Sequence, residues 1–142
     1  MLCWGLLEVA RRYIDNYLAN FVNDDGSLEY RGIETGEYGR QLATISEYYN
    51  FSKDHSLLLK HHQKIRTMVD YLLGLRHAAQ ELPHYDPAYG MLTGWCEADS
   101  CGRPDPQMYN LAYSYNSYDA VPSFHHLGRA WQTHGKKPAR QP

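Results

Sequence analysis

Apolar side chains recur at three- and four-residue steps along most of this chain, and turn-forming clusters interrupt them at uneven intervals. In the first segment Leu6, Leu7, Ala10, Tyr13, Ile14, Tyr17, Leu18 and Phe21 share one face, while Glu8, Arg11, Arg12 and Asp15 fall on the other. Asn23-Asp24-Asp25-Gly26 ends that segment. A second begins near Thr35 to Glu37, with Thr35 as its N-cap, and passes through Leu42, Ile45, Tyr48 and Tyr49. The third and longest carries Leu58, His62, Ile65, Val69, Leu72 and Ala79 in one stripe, widened by Leu57, Met68 and Leu75. It stops before Pro83, because a residue preceding proline avoids the α region. A fourth carries Val121, Phe124, Leu127 and Trp131, with Pro122 confined to its first turn or to a kink. The spacing predicts helices near 3–22, 36–51, 54–82 and 118–134, no substantial sheet, and an all-α fold of antiparallel α/α hairpins.

Connection lengths add topology. Ser52 or Asp54 caps the third helix, so the second and third are joined by a short turn and lie antiparallel. The other two connections are long, Gly26 to about Gly36 and His84 to about Tyr115. Alternating helix directions place both at the same end. The loops also share a loose pattern: Asp25-Gly26-Ser27-Leu28 with Glu34 downstream, and Tyr89-Gly90-Met91-Leu92 with Glu97 at a near-equal offset. An α/α-hairpin repeat produces such a pattern.

Composition removes several functions. The 142 residues are 43% hydrophobic, enough for a core. The net charge is −2 and the basic residues are scattered, so there is no stripe to meet nucleic-acid phosphates. No apolar run reaches the roughly 20 residues of a membrane span. Met1 to Val9 contains Glu8 and lacks a basic start, so it does not read as a signal peptide. The protein is therefore intracellular, or its true N-terminus lies upstream, and its localisation stays open. The three cysteines, Cys3, Cys96 and Cys101, make no disulfide framework. Free buried thiols are the preferred reading, and a local Cys96–Cys101 bridge is the alternative in an oxidising compartment. His61-His62 and His125-His126 are adjacent pairs that face different sides of a helix, so no metal site is expected. No phosphate loop, dinucleotide glycine pattern or nucleophile elbow is present, and no cofactor is expected. Residues 136–142 read as a disordered tail after a single domain over 1–135.

The most informative stretch runs from Gly90 to Cys101. It gathers Trp95, Glu97 and Asp99 between glycines that let backbone approach a ligand. A carboxyl beside an indole has a raised pKa and holds a proton near neutrality, as a general acid must. The simpler reading is that Glu97 and Asp99 cap backbone amides in a coiled loop. A second set is Glu34, Glu37, Tyr38 and Arg40, where Glu37 in a first helical turn is favoured in its charged form. The chain carries 13 tyrosines, whose rings pack while their hydroxyls reach water or ligand.

The stretch Glu34-Thr35-Gly36-Glu37-Tyr38-Gly39-Arg40, with Lys53-Asp54 after it, resembles the inner-to-outer helix transition of the six-hairpin glycosidase-like superfamily. So do Gly90-Met91-Leu92, Glu97-Ala98-Asp99-Ser100, Tyr115-Asn116-Ser117-Tyr118 and Leu127-Gly128-Arg129-Ala130-Trp131. The resemblance spans nearly the whole chain. It implies an (α/α)6 toroid in which inner helices, here the second and fourth, alternate with outer ones and long loops at one end form a saccharide cleft. It implies a glycoside hydrolase with Glu97 as general acid and Asp99 beside it. Trp95, Glu34, Glu37, Tyr38 and Tyr89 would bind substrate. Pro122 departs from the pattern of an inner helix. Four helices cannot close such a ring, so the chain is expected to be part of a longer enzyme, marginally stable or self-associating through exposed hairpin faces. Two other readings stand beside it: a non-catalytic α/α repeat module that binds a glycan or protein, and a helical bundle with no site.

Overall fold

The computed structural model describes residues 1–28, 34–95, 107 and 111–134, with 133 and 134 described by backbone alone. The described residues are helical, without a strand; Val22–Leu28 and Thr93–Ala112 form isolated antiparallel bridges. A 3-10 turn at Leu2–Trp4 precedes α1, Leu7–Asn20. Then come α2, Thr35–Ser52; α3, Ser56–Lys60; α4, His62–Gln80; and α5, Ser114–His134. No described helix is long and apolar enough to cross a membrane.

The expected third helix is two helices. His61 leaves the helical region (φ −107°, ψ 18°), and its amide bonds back to Leu57 while Ile65 bonds back to His61. The break rephases the faces. His61, not His62, is buried, held 2.6 Å from the Asp15 carboxylate, and His62 is exposed with its ring edge-on to Trp131. The N-cap of this segment is His55 rather than Ser52 or Asp54; Asp54, one residue earlier, accepts the Ser56 amide at 2.8 Å in the turn that leads into the helix. Thr35 is the first residue of α2 rather than its cap, and its hydroxyl is used elsewhere. The fourth helix starts four residues early, at Ser114, so Pro122 lies inside it. That ring removes the bond to the Tyr118 carbonyl, and both residues lie on the exposed side of the helix.

Helix directions follow from side-chain pairs. Lys60 and His61 reach Asp15, and Lys64 donates to the carbonyls of Leu18, Ala19 and Val22 at 2.7–3.1 Å, so α1 and α4 run the same way. The bonds to Leu18 and Ala19 satisfy carbonyls that the end of α1 leaves without helical partners, and the third ties down Val22 in the turn that follows. The turn after α1 is tight because Asp25 accepts from the Ser27 amide and hydroxyl. It requires glycine at 26 (φ +86°), where a Cβ would lie 2.4 Å from the Thr67 carbonyl carbon. On α2, Tyr38 near the start stacks on Tyr71 midway along α4, and Tyr49 near the end tilts against His55 just before α3, so α2 opposes α3 and α4. The helices α2 and α5 run together: Arg40 bonds Asp119 at 3.2 Å near their starts, and Tyr49 and Lys53 share a groove with His126 and Arg129 near their ends.

Leu18, Leu42, Ile45, Leu57, Ile65, Met68 and Leu72 are fully buried and form the centre of the core. Half of α2 is buried, which makes it the axis on which the others pack. On α1 the covered face is Ala10, Ile14 and Leu18; Leu6, Tyr13 and Phe21, expected with them, are largely exposed. Cys3 is exposed rather than buried, a free thiol. The tail 136–142, Cys96 and Cys101 lie outside the described residues.

Candidate functional site at the loop end

The two long connections meet. The Thr35 hydroxyl donates to the Thr93 carbonyl at 2.7 Å, and the Gly36 amide to the Trp95 carbonyl at 3.2 Å. The first turn of α2 is thus sewn to the loop that leads to residue 97. Its amides serve the chain itself, since the Glu37 amide also folds back on the Glu34 carbonyl at 3.1 Å. The start of α5 anchors the same loop. Buried Asn116 donates through Nδ2 to the Gly94 carbonyl at 2.8 Å and more loosely to Leu92, while Ser117 Oγ accepts the Leu92 amide at 3.2 Å. Gly94 and Tyr113 complete the join by donating their amides to Leu111 and Leu92 respectively.

Each residue singled out in the sequence has a definite place, apart from two. Glu34 is a buried carboxyl at the mouth of α2, and Glu37, half-buried one turn on, accepts from Gln41. Tyr38 is 2% exposed; its ring stacks on Tyr71 at 4.6 Å between centroids, and its hydroxyl accepts the Leu28 amide at 3.0 Å. Burial, and then the neighbouring Tyr71, push the Tyr38 hydroxyl pKa well above its ordinary value, so it stays protonated. Trp95 is 2% exposed. The rings of Tyr38 and Trp95, expected to stack on a sugar, are therefore packed inside the protein. Packing consumes these faces because the short loop-to-helix bonds draw both residues into the core. Tyr89 is half-exposed and tilts against His84 at 4.3 Å. Glu97 and Asp99 lie outside the described residues.

Sequence reasoning gave no role to Asn116, Ser117, Asp119 or Tyr71. Arg40, grouped with the glutamates from its position, turns instead toward α5, bonding Asp119 and the Tyr115 hydroxyl with its guanidinium over the Tyr115 ring. No local signal could have linked residues 75–79 positions apart in this way. Asn116 alone had a cue, an amide side chain near the start of an amphipathic segment where helix-to-loop bonds are made.

No family model, curated protein or solved structure matches this chain. The loop end itself thus carries the functional reading. It offers a rigid frame, a buried carboxyl, a half-exposed ring and a connection to two further carboxylates.

Proposed function

We propose that this chain is part of a carbohydrate-active glycoside hydrolase built from antiparallel α/α hairpins of the (α/α)6 toroid type. Glu97 acts as general acid and Asp99 as its ionised neighbour, and Glu34, Glu37 and Tyr89 contact the saccharide. The observation that carries the reading is the pair of bonds from Thr35 and Gly36 to Thr93 and Trp95, which bring the two long loops to one end. A saccharide cleft needs such a floor, with carboxyls from two segments converging on one glycosidic bond. Buried Tyr38 and Trp95 give the floor its rigidity rather than its stacking surface. Their burial also favours a second reading, in which the loops form a non-catalytic module that binds a glycan without cleaving it.

A panel of aryl glycosides separates the two. Under the first reading, the complete enzyme that contains this chain releases the aryl group, and Glu97→Gln in it lowers turnover by about 10²-fold or more with unchanged thermal melting. Near-normal turnover in Glu97→Gln removes that residue from the mechanism. Saturable glycan binding with no turnover of any substrate selects the second reading.

A further inference from the structure

Most of the described arginines and lysines are engaged. Arg11, Arg12, Arg40, Lys60 and Arg66 each meet a carboxylate, and Lys64 meets backbone carbonyls. Lys53, Arg76 and Arg129 alone have no carboxylate or carbonyl partner for their side chains among the described residues. Two of these, Lys53 and Arg129, line the same cavity of about 380 Å3, together with Asn50 and His126, and no carboxylate lines it. The cavity lies where α2 and α5 end. At 1.5 Å per residue, α2 holds it about 27 Å from the loop end. Lys53 is placed by the helix stop: its backbone is left-handed (φ +58°), its amide donates to the Tyr49 carbonyl at 2.8 Å, and its ammonium turns back to 5.7 Å from the Tyr49 ring centre. Residues 135–142, which follow α5 in the sequence, add Lys136, Lys137 and Arg140 and no acidic side chain.

We propose that this cavity is an anion site for the phosphate group of a small phosphomonoester, independent of the loop-end site. Charge selects the ligand. Cations at helix C-termini offset the macrodipole, but two such ends carry only about −0.5 each, so Lys53 and Arg129 together leave positive charge over. A carboxylate matches one cation; a phosphomonoester is close to doubly charged near neutrality and matches both. The Arg129 fork takes two of its oxygens, the Lys53 ammonium acts as a point charge, and the Asn50 amide is a further donor. Two cations in one recess are a point site, not the stripe that follows a nucleic-acid backbone. The volume lies at the lower end of the roughly 300–1,000 Å3 of small-molecule pockets, which leaves room beside Tyr49 and Ala130 for a small esterified group.

Amide NMR titration of the full chain at constant ionic strength tests this, with inorganic phosphate and glycerol 3-phosphate as probes and chloride as the control. Asn50, Lys53, His126 and Arg129 should shift saturably with a dissociation constant on the order of 1 mM, as two or three charge-assisted hydrogen bonds give. Glycerol 3-phosphate should bind at least as tightly as phosphate. Lys53→Asn keeps a residue that tolerates the left-handed backbone, and Arg129→Gln changes an exposed side chain. Each should weaken binding about 10-fold, one charge-assisted contact apiece, while Arg66→Gln, whose arginine is already paired with Asp70, should leave it unchanged. Phosphate should also raise the melting temperature of the wild type and not that of the double variant. Failure to saturate overturns the proposal, and lower melting of both variants in that case assigns the two cations to the helix ends alone. A chloride response equal to that of phosphate, or an Arg66→Gln loss equal to that of Arg129→Gln, overturns it as general screening. Exclusion of glycerol 3-phosphate from a site that takes phosphate overturns the esterified ligand. Native amide spectra of the variants exclude misfolding as the cause.

Discussion

Helix α5 meets α2 and α4 along two lines of opposite character. Toward α2 it presents its backbone: a Cβ on Gly39 would fall 2.7 Å from the Asp119 carbonyl carbon and 2.8 Å from the Ala120 amide. Serines on these helices are buried without strain on polar satisfaction, because Ser46 and Ser123 donate to their own helices at Leu42 and Ala120. Toward α4 it presents Phe124 and Trp131, with His62 edge-on to the indole at 5.7 Å, and the helices stand apart over a groove. Side-chain volume at the contact line sets the separation. Small residues let helices touch backbone to backbone, while bulky ones hold them apart unless something fills the gap.

The largest test of this contrast is Gly39→Val, which must push α5 away. It should cost about 3 kcal/mol by overpacking, read as a fall in Tm of roughly 10 °C for a chain of this size. A loss under a few degrees would mean that α5 is not seated on α2 as described. Phe124→Ala comes next. Phe124 faces the groove on one side, so truncation should cost about 1–2 kcal/mol, below the 3–5 kcal/mol of a fully packed phenylalanine. Urea unfolding at one low protein concentration reads it without contribution from association. Gly128→Ala on the open side should do the reverse of Gly39→Val and raise stability by up to about 1 kcal/mol, the helix-propensity gain with nothing to strike. If both glycine substitutions destabilise alike, the two contact lines do not differ.

The faint end of the scale lies away from α5. Hydrogen bonds from Lys60 and His61 hold the Asp15 carboxyl below its ordinary pKa, and the Ser56 amide does the same for Asp54. A carboxyl with a depressed native pKa adds stability above its unfolded value near 3.9 and loses it as pH falls through the native value. Stability should therefore decline below about pH 4. Asp15→Asn should flatten part of that decline, as followed by urea midpoints across the acid range.

Much of the helix pattern was legible because local periodicity writes it. Ala10, Ile14 and Leu18 stand where the first stripe placed them, and the bounds of α2 agree to within one residue. The failures share a cause, since each depends on a partner distant in sequence. Tyr13 belongs to the stripe by spacing, but nothing among the described residues covers its flank. His61 takes the buried place assigned to His62 because a local break at residue 61 shifts the phase. Ser114 opens α5 early because Asn116 and Ser117 tie that first turn to the preceding loop, and those polar residues carry no hydrophobic period. At the loop end, alternating directions foretold that the two loops share one side. The bonds from Thr35 and Gly36 that join them, and the burial of Tyr38 and Trp95 that results, have no sequence signature.

The seam between α2 and α5 also sets a timetable. Arg40 emerges in synthesis 79 residues before Asp119, a lag of roughly 4–16 s at about 5–20 residues per second. Through that interval the flank of α2 destined for α5 stands uncovered on a nascent chain. A row of leucines would adhere to whatever passed, whereas glycine at 39 and an arginine beside it give a surface that waits in water without attracting a wrong partner.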